Sequence, residues 1–535
     1  DLLDRDGKDL YRKYKDQFGE RQFSIQHDHE TETMVGPNSP LSKEEMRNMG
    51  ADGLVHYLYN WHPSQDDELR LVSHDGLAGV LSDLVKDYPS FFQGKEDQLI
   101  LLRPSYQRGI VSGWNDSLHN GKEVPTKGIL VIATNVTHYR DTDKFKGEGK
   151  AFDDDFDYQA LKLCVVSCLD AFLSFQDSFI SDEDLNRIRD VLVCIAKSTN
   201  PDETYEMEYI KENADPLTGA LNTIRPSAIR ALSKWLKKNN HKLDEGSVLD
   251  AIEACFPNVS NSACDAAALG ESLPILVQTN FEFIKNHYEE LFGKDSTINK
   301  QQQIVLSTIL GLLVPNPVML DYLRPACMNA LNHDLSSFEL GINQSITASN
   351  DCAVLLGSWL YEGLAVGWVS ANDGLLEKWR DCATAEQLGL VLARLCGKIK
   401  PNAKISSEVI QRIGEIWDYH KKVFVGTKGA KALRGISALA RSHQYSGIWW
   451  GSRFCEEYKL NPRKIKIIAI RNELIELSQD TPELALDILD LALRNDEQPH
   501  CYTYEKVAIS ILKEMKNKYG DLSETAKRCM NKLGT

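Results

Sequence analysis

The chain has 535 residues, 42% of them hydrophobic and 26% charged, and a formal net charge of −16 at pH 7. That length exceeds what a single hydrophobic core organises, so several packed units or one elongated array are expected. The acidic balance argues against non-specific binding to nucleic acid or anionic membrane, and the apolar content argues against disorder outside short segments.

No apolar run approaches the length of a membrane span, and no signal peptide is present. The 12 cysteines include no CxxC pair. They read as reduced core residues of a cytosolic protein. Asn135-Val-Thr137 and Asn258-Val-Ser260 fit the glycosylation sequon, which means little without a secretory signal. The chain opens on Asp1, with Leu2, Leu3, Leu10 and Tyr11 already at helical spacing. The expectation is a fragment of a larger protein.

In chain order, a polar stretch at 20–40 comes first and reads as a loop. It contains His27-Asp28-His29-Glu30 and Glu32, a set able to chelate a metal. No second cluster follows at zinc-like spacing, so no metal site is expected. Ser42-Lys43-Glu44-Glu45 is a capping box that opens a helix through Leu54, Tyr57 and Leu58. Ser73 opens the next, over 77–85, stopped before Pro89. The apolar run 128–133 could be a strand, but an isolated strand has no partner, and helix is favoured.

A second polar stretch, 141–157, ends in Asp153, Asp154, Asp155 and Asp157. Carboxylates there suit the positive end of the following helix dipole, and the EF-hand ladder is missing. Ser181-Asp182-Glu183-Asp184 caps a helix with Leu185, Ile188, Leu192 and Ile195 on one stripe. The same grammar predicts helices over 226–235, 304–313, 318–331, 352–366, 406–420, 430–440, 465–477, 482–493, 504–515 and 523–533. A weaker polar stretch falls at 335–350.

Around twenty to twenty-five helices joined by short loops imply an all-α fold, an α-solenoid of degenerate HEAT/TPR-like helical hairpins, although no strict period recurs. The polar stretches suggest three parts: 1–150, an N-terminal helical segment with the loop 20–40; 151–350, a central array; and 351–535, a C-terminal array. Trp359, Trp368, Trp379 and Trp417 cluster there, with Gly357, Gly363 and Gly367 among them. Small residues that admit close helices, beside large aromatics that fill space, read as core packing.

Chemistry is sparse. Gly149-Lys150, Gly293-Lys294 and Gly397-Lys398 lack the other residues of a phosphate loop, and neither a nucleophile elbow, HExxH nor a dinucleotide fingerprint occurs. No catalytic residue and no cofactor is expected. A helical enzyme assembled from distant His, Asp and Glu would leave no such trace and stays as an alternative.

Local charge is the most unusual feature. The segment 421–471 holds 12 Lys or Arg against two acids, Glu456 and Glu457. The candidate partner-binding residues are Arg441, Trp449, Trp450, Arg453, Arg463, Lys464 and Lys466. Basic groups interleaved with aromatics can follow a nucleic-acid backbone and stack bases. They can equally face an acidic protein, or an acidic face of this same chain, and in a −16 protein these two readings are preferred.

Three segments carry a family resemblance: Asp215-Pro-Leu-Thr-Gly-Ala-Leu-Asn222-Thr-Ile-Arg225-Pro-Ser-Ala-Ile-Arg-Ala-Leu232, Leu269-Gly-Glu-Ser-Leu-Pro274 and Val35-Gly-Pro-Asn-Ser-Pro-Leu-Ser42. They resemble landmarks of very large bacterial proteins, the STAND-type NTPases and related multidomain anti-phage proteins, in which a helix opens after an Ala-Ile-Asn-Ser-x-Arg-Gly turn. This chain has Pro226 where that pattern has Gly, a residue comfortable in a first helical turn. The resemblance spans roughly 35–331 and rests on turns and caps, so it transfers no functional residue. It implies a non-catalytic sensor or scaffold region that recognises a protein partner, such as a phage protein, and controls an effector domain. It also implies oligomerisation through the parent protein.

Overall fold

The computed structural model describes residues 37–64, 72–145, 157–175, 180–211, 215–294, 298–332, 352–400, 404–461, 470–494, 502–520 and 524–533. Among them the fold is all-α, with two isolated β-bridges, Asn38–Val72 and Lys144–Asp157. None of these helices is long and apolar enough to cross a membrane. The His27–Glu32 set lies outside the described residues.

Helices of ten residues or more are labelled α1 to α18. They are α1 (Lys43–Asn60), α2 (His74–Asp87), α3 (Pro104–His119), α4 (Thr126–Val136), α5 (Gln159–Phe175), α6 (Asp182–Ile195) and α7 (Ile224–Asn239). Then come α8 (Ala263–Thr279), α9 (Lys300–Leu312), α10 (Pro317–Asn332), α11 (Cys352–Val366), α12 (Ala385–Gly397) and α13 (Ser407–Tyr419). The last are α14 (Gly447–Leu460), α15 (Arg471–Asp480), α16 (Pro482–Arg494), α17 (Tyr502–Tyr519) and α18 (Glu524–Leu533).

Local signals place the helix starts. Ser42 Oγ accepts from the Glu45 amide at 3.3 Å while the Glu45 carboxylate accepts from the Ser42 amide at 2.8 Å, a complete capping box. Ser73 and Ser181 accept from the amides of Gly76 and Asp184. The Asp157 carboxylate accepts from the Gln159 amide at the head of α5. The run 128–133 is helical, inside α4.

Two expectations need correction. Gly50 sits at φ +67° within α1 and kinks it, a conformation that glycine alone adopts freely. The predicted helix 430–440 is broken: a 3₁₀ turn, Ala430–Ala432, is followed by a short helix, Ile436–Arg441. Gly435 sits at the break, at φ +110°, where a β-carbon would lie 3.0 Å from Ala393 Cα and Cys396 Sγ.

Burial then orders the helices. An outer helix such as α6 buries one stripe: Leu185, Ile188, Val191, Leu192 and Ile195. An inner helix such as α7 is buried nearly all round, and it packs on α5, α6 and α8. The main packings follow the chain: α2 on α3, α3 on α5, α5 on α7, α7 on α8, α8 on α9, α9 on α11, and α11 on α12. The series continues through 436–441 to α14, then α16 and its neighbours α15, α17 and α18. Packing therefore runs on across residues 150 and 350, where polar stretches suggest divisions.

Recurring contacts tie successive layers. Four buried indole N–H groups donate to carbonyls of an earlier element: Trp114 to Pro89, Trp235 to Leu185, Trp359 to Leu310 and Trp379 to Ala353, at 2.7–3.0 Å. Ion pairs join Arg108 to Asp75, Lys234 to Asp170 and Arg528 to Asp490. Gly357 is where the Trp379 ring lies, so close that a β-carbon would fall 2.2 Å from it.

The α2–α3 contact is the most extensive, and it is close. A β-carbon on Gly109 would lie 2.5 Å from the Ala78 carbonyl oxygen, and one on Gly113 2.6 Å from that of Ser82. These neighbours are backbone and cannot rotate away. Gly109→Ala should lower stability by about 1–3 kcal/mol in urea unfolding. Gly79→Ala, on α2 with open space around it, should be neutral or stabilising by up to about 1 kcal/mol.

Candidate functional site

A large cavity, about 1020 Å³, opens between the end of α6, the helix Glu203–Lys211, the start of α7, and the loop leading into α8. Its wall holds a buried polar network. Arg225 Nε donates to both Asp265 oxygens at 3.0 Å, and its Nη1 donates to the Ser198 carbonyl at 3.0 Å. Ser260 Oγ donates to Asp265 at 2.6 Å. Glu206 accepts from the Ser262 hydroxyl and from the amides of Ala263 (3.2 Å) and Cys264 (3.3 Å). A carboxylate from one layer thus caps the helix that founds the next, favourable at the positive end of the dipole.

Asp265 is 1% exposed, and burial raises its carboxyl pKa even with Arg225 and Ser260 opposing. Burial also pushes the Cys255 and Cys264 thiols up, away from nucleophilic thiolate. A smaller adjoining cavity, about 330 Å³, holds Asp141. Its carboxylate accepts from Lys162 Nζ at 2.7 Å, Ser198 Oγ at 2.8 Å and the Thr199 amide at 2.8 Å. Burial pushes the Asp141 carboxyl up, but these donors outweigh it and hold it below the usual carboxylate range.

One resemblance segment, 215–232, lies here. Asp215 caps the short helix Pro216–Leu221, Thr223 Oγ1 donates to the Gly219 carbonyl, and Arg225 grips Asp265 at the head of α8. Their chemistry is that of a joint: each polar group named above is engaged within the chain. Among the described residues no group of three or more His, Cys, Asp and Glu is placed to hold a metal ion.

The basic segment is also engaged. Arg453 forks onto Asp418 of α13 at 3.0 and 2.7 Å. Lys421 pairs with Glu456 at 2.7 Å, and Lys431 and Arg434 both reach Glu386 of α12 at 3.3 Å. Lys428 Nζ donates to the carbonyls of Asp381 and Ala383. Trp450 is buried, while Trp449 stacks on Tyr445 at 4.1 Å and carries the Arg453 guanidinium 4.0 Å above its ring. Arg441 is exposed, and its Nε donates to the Ser437 carbonyl. Arg463, Lys464 and Lys466 lie outside the described residues.

Beneath this segment His420 is fully buried, with Nδ1 2.9 Å from the Ala432 carbonyl and Nε2 2.9 Å from the Tyr361 hydroxyl. Nδ1 therefore carries the proton and Nε2 accepts from the tyrosine.

A third cleft, about 650 Å³, runs along α9, α11 and α12 with Leu217 on its far wall. Its floor is mainly apolar and its one end carries Arg394 and Lys398.

Fold and site together define a class, a stacked-helix protein whose polar clusters join layers. No family model matches the chain, and neither a curated protein nor a solved structure does.

Two outcomes follow. Arg225→Met leaves Asp265 buried without its cation and should cost about 3–5 kcal/mol in chemical denaturation, whereas Arg225→Met with Asp265→Leu should recover much of that loss. Burial holds the His420 pKa down, from 6.5 to about 4, so the folded state keeps it neutral while the unfolded chain protonates below 6.5. Its contribution to stability should fall by about 1.4 kcal/mol per pH unit as pH drops from 6.5 toward 4. Unfolding curves at several pH values should show a shallower slope in His420→Gln.

Proposed function

We propose that this chain is a non-catalytic recognition scaffold, the helical-repeat sensor region of a larger multidomain protein. It binds a protein partner and passes that event to an effector domain. The observation that carries this reading is the chain-ordered stacking of α2 to α18, which leaves a cleft lined by three successive layers. A stack of this kind offers an extended, rigid surface, and a partner that spans layers couples them. The resemblance of three segments to landmarks of multidomain defence proteins supports it, and one of them, 215–232, supplies Arg225 to the layer joint.

Nucleic-acid binding through 421–471 is the weaker reading. Of its described cations, Lys421, Lys431, Arg434 and Arg453 are paired with Glu456, Glu386 and Asp418, Lys428 is held by backbone carbonyls, and Trp449 and Trp450 are packed. Cations already paired release few counterions on meeting a phosphate backbone.

The two are separated by titration. The purified chain is used to capture proteins from extracts of phage-infected and uninfected bacteria, and each captured protein is remade and titrated by calorimetry. Single- and double-stranded DNA and RNA are titrated in parallel at low and physiological salt. The expected result is one saturable protein complex at physiological salt and no salt-dependent nucleic-acid binding. Salt-steep nucleic-acid binding that Lys421→Glu with Arg441→Glu abolishes, and no saturable protein complex, would overturn the proposal.

A further inference from the structure

The cavity of about 1020 Å³ beside the layer joint has two kinds of polar lining. Its wall groups are spent on one another: Arg225 on Asp265, and Glu206 on Ser262 and the amides at the head of α8. Its rim groups are not. Glu203 opens the helix Glu203–Lys211, and Asp250 lies on the short helix Gly246–Glu253. Both are exposed, and among the described residues neither carboxylate has a hydrogen-bond or ion-pair partner. Asp202, next to Glu203, spends one oxygen on the Tyr205 amide at 2.8 Å. The cation on the rim is Lys197.

Exposed acids alone are ordinary surface. These border apolar side chains that face the same cavity. Met207 is 56% exposed and Val259 62%, with Ala254 exposed and Val193 and Ala251 half-buried between them in burial. Several exposed apolar groups in one concavity mark a contact surface, whereas single ones do not. The volume lies at the upper end of ligand-sized clefts, roughly 300–1,000 Å³, which suits several side chains of a polypeptide better than one ion. Among the described residues no three acids, histidines or cysteines are placed to hold a metal ion.

Charge decides the occupant. An acidic segment would meet Glu203 and Asp250, and would find Arg225 already forked onto Asp265 and donating to the Ser198 and Pro201 carbonyls. A basic segment meets two carboxylates that give up only water. The net charge of −16 also draws it in from a distance. Met207, unbranched and adaptable, can follow the shape of an apolar neighbour.

We infer that this cavity is the docking site for a basic segment of a partner protein, with its apolar side chains on Met207 and Val259 and its Lys or Arg side chains on Glu203 and Asp250. This deepens the recognition-scaffold reading and rests on it.

The test is a random-peptide display selection on the purified chain, followed by fluorescence-anisotropy titration of the enriched peptides, with spermine titrated as a small cation. One variant, Glu203→Lys with Asp250→Lys, reverses the rim charge, and Glu203→Gln with Asp250→Asn removes it mildly. Ala254→Trp fills the cavity. Asp83→Lys with Glu415→Lys makes the same change in net charge on α2 and α13, outside the cavity. Circular dichroism and melting curves confirm that each is folded. Expected are enriched sequences combining apolar residues with Lys or Arg. Their binding is weakened at least about tenfold by rim reversal, less by the mild pair, lost in Ala254→Trp and kept within about twofold in the α2 and α13 control. Acidic or charge-indifferent sequences would overturn the proposal, as would no enrichment. Equal weakening by rim reversal and by the control would assign the binding to the field of the whole chain, and spermine binding as tightly as the peptides would reduce the site to charge alone; either overturns it. Peptides that bind Ala254→Trp unchanged would place recognition elsewhere on the stack, sinking this site while leaving the scaffold reading intact. A drop in sedimentation mass in Ala254→Trp would mean that a second copy fills the cavity, which also overturns it. Both readings fall together only if no peptide is enriched and no protein complex forms in the extract titration.

Discussion

A helix apolar on every side has to be enclosed by other helices. That constraint governs this chain. α7, α8 and α11 bury residues around most of their circumference, and none can be satisfied by one neighbour. Short connections supply those neighbours from the adjacent stretches of sequence, so order in space follows order along the chain. The tryptophan N–H bonds, the Arg225–Asp265 joint and the glycine contacts of α2 with α3 fix how far apart successive layers sit.

Much of this was legible in the residues. Helix starts are local events, and Ser42, Ser73 and Ser181 announce them by their own side chains. The all-α class is likewise written in apolar spacing. Backbone exceptions were not legible: Gly50 and Gly435 look like any helical glycine in the sequence, yet both adopt a positive φ. Nor was the spacing of layers. It is carried by pairs such as Arg108–Asp75, Arg453–Asp418 and Arg528–Asp490, residues 33, 35 and 38 apart, too irregular for a repeating motif.

The candidate sites show the same division. Composition marked 421–471 as a basic surface, but two of the three acids that pair with its cations, Glu386 and Asp418, lie outside that window. Asp141 falls in a stretch that reads as a boundary loop, yet it anchors Lys162, Ser198 and Thr199. Glu206 looks like one acid among many until the fold brings it to the head of α8. The three clefts consequently differ in kind. Two are lined by polar groups already committed to holding layers together, and the third is an apolar floor with a guanidinium at its end.

The chain-ordered packing has a consequence for how this protein comes into being. Each layer meets its partner within a few helices of itself, and little of the main packing waits for a distant segment. Loop closure is therefore cheap, and contacts of short sequence separation form early. During synthesis a newly emerged helix finds the preceding layer already in place as a template for its apolar faces. Assembly can then proceed as growth from the N-terminal end, with each added turn of the stack covering the greasy surface that the one before it left open.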